Sequence, residues 1–246
     1  VRFLTMDDEV ACSPKKSLKN LSSDLFTLRI VRSEKTHVYG TRYFFHCFST
    51  NASLTRNSSN LSNSSEILSE SPVKHLYMSK AKSPTSKIIP IGASDTIHLR
   101  DSRPLAYLQV ENDNSTFTLI KNTERNRDTN NIQDSSSSQN LMVVKIAPPR
   151  TPEDGDRRIT VLFLGLVEIP SRLVSLPLTT ISAFEGRYMQ YSIKNAILAD
   201  EKTRTPIITI RKTDVNDIEI DTHYNIDPLY LFGLGICIFF GKKPTK

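Results

Sequence analysis

Five basic residues lie close together near the middle of the chain. They are Lys80, Lys82, Lys87, Arg100 and Arg103. Ammonium and guanidinium groups bind phosphate through charge-assisted hydrogen bonds, so this basic cluster could attract an anionic membrane or a phosphorylated lipid headgroup. The alternative is a solvated strand edge, where lysines prevent pairing with another chain. The residues alone leave both interpretations open.

The sequence contains no pattern typical of catalysis or metal binding. It has no GxSxG motif, no P-loop and no carboxylate pair of glycosidase type, and Gly233-x-Gly235 lacks the third glycine of a dinucleotide fingerprint. The histidines have no HxH or HExxH spacing, which argues against a metal site. These are His37, His46, His75, His98 and His223. We therefore predict a protein that is not an enzyme and needs no metal or cofactor.

The chain of 246 residues is moderately basic, with 32 Lys plus Arg against 26 Asp plus Glu and a net charge of +6. This excess fits an anionic partner, but nucleic acid is not expected because no basic patch with interleaved aromatic residues is present. The chain has three cysteines, and no two of them are spaced as CxxC. This excludes a disulfide scaffold and a cysteine-based zinc module. An odd number of cysteines fits a reducing compartment and predicts a cytoplasmic location.

Short apolar runs bounded by Asp, Asn, Pro or Gly follow one another along most of the chain, and they often alternate with polar residues. This spacing predicts β-strands in a sandwich or a barrel. The runs are Leu25–Val31, Arg42–Phe48, His75–Met78, Leu105–Val110, Phe117–Ile120, Leu141–Ile146, Ile159–Leu164, Tyr188–Ile193, Ala196–Leu198, Ile207–Ile210 and Ile218–Ile220. Ser33-Glu34-Lys35 is the predicted hairpin break between the first two runs.

Polar segments precede and interrupt these runs. Residues 1–24 form a polar leader, and further polar stretches lie near 51–72 and 125–140. In the first of these stretches, 12 of the 21 residues from 51 to 71 are Ser or Asn. Such a segment cannot bury enough apolar surface to offset the entropy lost on ordering. We predict one domain over residues 25–246 with two disordered inserts.

The last apolar run, Pro228–Phe240, is apolar on all sides and follows Asp227, a good N-cap residue. A helix that is apolar on all sides must be buried on all sides. In a β protein, the lumen of a barrel is the natural place for such a helix. Gly233 and Gly235 would then be the points where strand side chains approach it closely.

Segments in the C-terminal half of the chain resemble the tubby C-terminal domain family. Phe184–Asn195 is similar to the signature F-x-G-R-V-x-x-A-S-V-K-N-F, and Phe232–Lys242 is similar to F-[AG]-I-[GSA]-L-S-S-F-x-G-K. Asp221–Leu229 and Gly155–Val161 resemble the family segments D-Y-N-Y-P-L and G-P-R-K-M-x-V. The residues that match the first signature outright are Phe184, Gly186, Arg187, Ser192, Lys194 and Asn195.

The resemblance implies a mainly β fold, a closed barrel of about twelve strands around a central hydrophobic C-terminal helix. It also implies binding of phosphatidylinositol 4,5-bisphosphate, which the family holds with a K-x-R pair on one strand. The aligned residues here are Tyr107 and Gln109, while Lys87 replaces a family Asn. We expect any phosphoinositide site to combine these three residues with the basic cluster. Glu111 and Asp113 add negative charge nearby.

Two functions remain open on this basis. One is a phosphoinositide-binding module, peripheral at the plasma membrane, that carries membrane or protein cargo as the family does in ciliary trafficking, with a cilium or flagellum as a possible site. The other is a degenerate tubby barrel that acts as a protein-interaction scaffold and has lost lipid binding. The altered K-x-R pair favours the scaffold, whereas the net charge and Lys87 favour the lipid module. For Arg187 and Lys194 we favour a structural role over ligand contact.

Overall fold

In the computed structural model, the residues described are 21–38, 40–50, 73–83, 85–93, 104–111, 114–122, 138–148, 157–178, 184 and 186–241. They form twelve strands and one helix. The strands are β1 Leu21–His37, β2 Gly40–Thr50, β3 Lys74–Ala81, β4 Ile88–Gly92, β5 Ala106–Glu111, β6 Thr116–Asn122, β7 Ser138–Ala147, β8 Arg158–Phe163, β9 Arg172–Ser175, β10 Ala196–Asp200, β11 Pro206–Asp214 and β12 Asp217–Tyr224, and the helix α1 is Pro228–Phe240.

The strands form a closed antiparallel barrel in chain order. Each strand pairs with its neighbours in sequence, and β1 closes the barrel by pairing with β12, with Leu28 opposite Ile220 and Ile30 opposite Ile218. Alternation of buried and half-buried residues along a strand such as β5 sends every second side chain into the lumen. The predicted closed barrel of about twelve strands is confirmed.

The helix α1 fills the lumen, as its uniformly apolar sequence predicts. Asp227 caps it by accepting a hydrogen bond from the Leu229 N–H at 2.8 Å. A Cβ atom at Gly235 would lie 2.2 Å from Cδ1 of Ile30, and one at Gly233 would lie 3.2 Å from Cδ2 of Leu119. Both glycines are therefore points of close approach. In the part of the chain that is described, no helix has the length and apolar character needed to cross a membrane.

Arg157 lies buried beside the C-terminal end of α1. Its guanidinium donates to the Ile238 carbonyl at 3.2 Å, and its Nε atom has no hydrogen-bond partner among the residues that the structure describes. Burial lowers the pKa of Arg157 to about 10. The positive charge lies where the helix dipole is negative, which offsets part of the desolvation cost.

Several predicted boundaries differ from the structure. Ser33–Lys35 is not a turn: it belongs to β1, and the hairpin turns at Val38, with His37 paired to Gly40. Residues 21–24 of the predicted leader and 138–140 of the second insert lie in strands. The first insert, 51–72, and most of the second lie outside the described residues.

Tyr188–Ile193 was predicted as a strand and is not one. It lies in the connection between β9 and β10, and Tyr188 and Tyr191 are both exposed. The Asn195 amide takes the place of a strand ladder by donating to the Gln190 carbonyl at 2.8 Å and accepting from the Lys212 N–H at 2.7 Å. Together with a backbone hydrogen bond from the Gln190 N–H to the Lys212 carbonyl at 2.7 Å, these side-chain bonds hold the segment against β11.

Candidate ligand-binding groove

A groove begins where β3 and β4 separate. Among the described residues, these strands are paired at Met78 with Gly92 and at Ser79 with Ile91. Pro90 has no N–H to extend the pairing, and its carbonyl instead accepts a hydrogen bond from the Ser79 hydroxyl at 2.8 Å. The strand pairing therefore ends near the middle of β4.

The groove runs along the outer surface of β4 and β5 and has a volume of about 1050 Å³. That volume is ample for a phosphorylated sugar headgroup, since small-molecule sites commonly measure roughly 300 to 1,000 Å³. The lining residues come from the β3–β4 connection, from the strands β4 and β5, and from the residues just before β5. They are Lys82, Ser86, Lys87, Ile88, Pro90, Pro104, Tyr107, Gln109, Val110 and Glu111.

Strand alternation places the two residues aligned with the family K-x-R pair on the groove side of β5. Tyr107 and Gln109 are half-buried and alternate with buried residues that face the lumen. Across the β4–β5 ladder, Tyr107 lies opposite Pro90 and Gln109 lies opposite Ile88. The sequence therefore selected two residues that share one surface.

Lys87 reaches the same groove from the connection that precedes β4. Its carbonyl accepts a hydrogen bond from the Val110 N–H at 2.8 Å, which holds the Lys87 backbone against β5. Lys82 lines the groove from the end of β3. The structure therefore brings together four of the residues predicted for a phosphoinositide site, namely Lys82, Lys87, Tyr107 and Gln109.

One carboxylate opposes these cations. Glu111 lines the groove and accepts a hydrogen bond from the Gln109 amide at 3.1 Å. Among the described lining residues there are two ammonium groups and one carboxylate, so the local charge is weakly positive. A phosphate group would attract Lys82 and Lys87 and would be repelled by Glu111.

The remaining predicted site residues lie elsewhere. Lys80, on β3, does not line the groove, and its Nζ lies 5.1 Å from the centre of the Phe44 ring. Arg100 and Arg103 lie outside the described residues. Alternation in the sequence could have indicated that the Ile88 side chain faces outward. However, Pro90 argues against a strand at this position, so the sequence does not predict β4.

The matched signature residues lie in the connection between β9 and β10. They form a cluster, separate from the groove, that packs against β11 and β12. Phe184 is buried, and Gly186 has φ of +71°, a left-handed conformation that favours glycine. Arg187 donates to Asp221 at 2.7 Å and to the Thr27 hydroxyl at 3.3 Å. These contacts tie the β9–β10 connection to the barrel wall.

The other signature residues make comparable contacts. The Ser192 hydroxyl accepts from the Lys194 N–H at 3.2 Å, and Asn195 holds the loop to Lys212. The Lys194 ammonium lies 4.5 Å from the centre of the Phe239 ring, near the end of α1. These contacts suit the structural role that we favoured for Arg187 and Lys194.

A scan against protein-family models finds no match, and a search of the curated proteins finds none. The resemblance to the tubby family therefore rests on the residues quoted above. Within the ranges that the structure describes, no three His, Cys, Asp or Glu side chains are grouped so that they could hold a metal ion.

Proposed function

We propose that the groove binds the phosphorylated headgroup of an anionic lipid and so attaches the protein peripherally to a membrane. The observation that supports this most directly is the convergence of Lys87, Tyr107 and Gln109 on one groove with Lys82. Three of these residues, Lys87, Tyr107 and Gln109, align with ligand-site positions of the tubby family.

Lys82 and Lys87 would form ion pairs with phosphate oxygens, while Tyr107 and Gln109 offer neutral hydrogen bonds. Neutral donors hold phosphate less strongly than charged donors. Glu111 weakens the site further by repulsion and by occupying the Gln109 amide. We therefore expect weak binding that falls steeply with salt and discriminates little among phosphoinositides.

The tubby resemblance adds a cellular role to this proposal. The protein would be a non-enzymatic adaptor at the cytoplasmic face of the plasma membrane that carries membrane or protein cargo, including in a cilium or flagellum. The competing proposal is a protein-interaction scaffold that has lost lipid binding. The hydrogen bond between Gln109 and Glu111 favours the scaffold, because it satisfies the groove residue that replaces a family arginine.

Vesicle flotation with a lysine variant tests the lipid proposal. Lys87→Ala should weaken binding to phosphatidylinositol 4,5-bisphosphate vesicles by about fivefold, since one basic residue near an anionic surface contributes about 1 kcal/mol. Lys202→Ala is the matched control, because Lys202 is exposed in the turn between β10 and β11, at the other end of the barrel. Equal binding by the two variants, or no binding by the natural protein, would refute the proposal.

A further inference from the structure

The β1–β2 hairpin extends beyond the barrel wall. Pairing of β1 with β12 ends at Val31 opposite Asp217, and pairing of β2 with β3 ends at Tyr43 opposite Ala81. The Arg32 N–H still donates to the Asn216 carbonyl at 2.8 Å, and residues 32–34 lie opposite 43–45, which pair with β3 on their other side. Among the described residues, 35–37 and 40–42 pair only with each other, as far as His37 opposite Gly40. These three ladder positions correspond to a projection of about 10 Å at 3.3 Å per residue. We call residues 35–42 the projecting hairpin.

The tip of the projecting hairpin exposes an apolar side chain. Val38 is 95% exposed, and the following strand begins at Gly40 with φ of +121°, a value that glycine accepts easily. Most residues between Ser33 and His37 are exposed as well. A valine at the end of a narrow ribbon gains no burial within this fold.

Two cations lie directly across from each other below the tip. Lys35 pairs in register with Arg42, an arrangement in which like charges repel and destabilise the ribbon. An anionic partner would relieve this repulsion. The nearby Arg32 is already paired with Glu34 at 3.0 Å.

The basic surface continues from the hairpin to the groove. The ammonium groups of Lys35 and Lys80 lie 5.4 and 5.1 Å from the centre of the Phe44 ring. Lys82 follows Lys80 by two residues and lines the groove. One strip of cations therefore connects the tip of the hairpin with the groove.

We propose that the projecting hairpin inserts Val38 into the interfacial region of an anionic bilayer while Lys35 and Arg42 bind lipid phosphates. This inference rests on the proposed function, because the same membrane would occupy the groove. A bilayer suits a small apolar tip flanked by cations, since an interfacial element buries a shallow apolar face and keeps its charges among headgroups. Ile88 beside the groove and Val215 in the β11–β12 turn, each 63% exposed, lie at the same end of the barrel.

A single tryptophan can report insertion, because the chain contains none. Val38→Trp places the probe at the tip. Val167→Trp is the matched control, since Val167 is also 95% exposed and follows β8 at the opposite end of the barrel. Both proteins are mixed with phosphatidylcholine vesicles containing phosphatidylinositol 4,5-bisphosphate, and separately with vesicles containing phosphatidylserine. Emission, quenching by brominated acyl chains and flotation are measured together.

We expect Val38→Trp emission to shift to shorter wavelength and to be quenched by brominated lipid, with no change for Val167→Trp. Val38→Asp should lower vesicle affinity on the order of tenfold, because it removes apolar contact and adds repulsion. If the protein floats with vesicles while Val38→Trp stays water-exposed, insertion is refuted and the groove proposal survives.

Insertion without any effect of Lys87→Ala would support the hairpin and refute the groove. If neither vesicle type floats the protein, both proposals fail.

Discussion

Arg211 organises the most tightly buried charges of the barrel wall. Its side chain is 2% exposed and donates to Asp221 at 2.9 Å, to the Tyr188 carbonyl at 2.7 Å and to Glu219. Arg187 adds a second cation to the same two carboxylates. Because a buried charge must be paired, this network holds the signature segment in one position on β11 and β12.

Removing Arg211 should therefore destabilise the fold strongly. We predict that Arg211→Met lowers the free energy of unfolding by about 2 to 3 kcal/mol, because Asp221 and Glu219 keep their charges with Arg187 as their remaining cation. Urea denaturation measures this change. Arg172→Met is the control, since Arg172 and Glu201 form an exposed pair at 3.2 Å and such pairs contribute about 0 to 1 kcal/mol. Equal losses of unfolding free energy in Arg211→Met and Arg172→Met would mean that the buried network stabilises the fold no more than the exposed pair does.

At the scale of residues, the sequence predicted four of the side chains that line the groove, Lys82, Lys87, Tyr107 and Gln109, but not how they are held. Alignment and alternation placed Tyr107 and Gln109 on one strand face. The role of Pro90 was not predictable, because it depends on the separation of β3 from β4. The Gln109–Glu111 hydrogen bond also depends on side-chain geometry that spacing does not encode.

The central helix α1 is the element on which the barrel packs. In the middle of α1, Gly235 faces Ile30 of β1 and Gly233 faces Leu119 of β6. The space available for a side chain is smaller at Gly235 than at Gly233. The Cβ distance of 2.2 Å at Gly235 cannot be accommodated without movement of Ile30, whereas the distance of 3.2 Å at Gly233 requires a small adjustment of a leucine side chain.

We predict that Gly235→Ala destabilises the protein by about 2 kcal/mol through overpacking. Gly233→Ala should cost less than about 1 kcal/mol, because the higher helix propensity of alanine offsets a milder contact. Ile30→Val removes the Cδ1 atom that a Cβ at Gly235 would meet. The loss of unfolding free energy in the double variant should therefore be about 1 kcal/mol smaller than the sum of the losses in the two single variants. Thermal and urea unfolding are measured for the natural protein, the three single variants and the double variant. Equal effects at the two glycines would contradict the packing described for α1.

The elements were predicted unevenly for identifiable reasons. The helix was predictable because its apolar residues and cap are local signals. The strands β4 and β9 were missed, the first because Pro90 interrupts it and the second because Arg172–Ser175 is only four residues long. The length of the β1–β2 hairpin was also missed, since its polar residues 35–37 pair beyond the flanking strands and need no apolar alternation.

At the scale of the whole molecule, the helix explains why the sheet closes. A sandwich would leave one side of α1 in water, whereas twelve strands surround it completely. Closure also pairs β1 with β12 from Phe26 to Val31, so this stretch is not a free sheet edge. The closed barrel around a central helix was predicted from the apolar C-terminal run and the tubby resemblance. The strand order and the local separation of β3 from β4 were not predicted.

The measurement that tests the groove most directly replaces Tyr107 and Gln109 with the lysine and arginine of the tubby K-x-R pair. Flotation on phosphatidylinositol 4,5-bisphosphate vesicles over a range of salt concentrations compares the natural protein with Tyr107→Lys plus Gln109→Arg. Leu164→Lys plus Val167→Arg is the control, because it adds the same charge at exposed positions of the opposite end.

We predict weak, salt-sensitive binding by the natural protein and an increase of roughly thirtyfold for the restored pair, since two added cations contribute about 1 kcal/mol each. The restored pair should also prefer the bisphosphate over monophosphorylated lipids, and the control should gain much less. A restored pair that gains no more than the control would contradict lipid binding in this groove. Tight, salt-insensitive and headgroup-selective binding by the natural protein would contradict the weak site described for it.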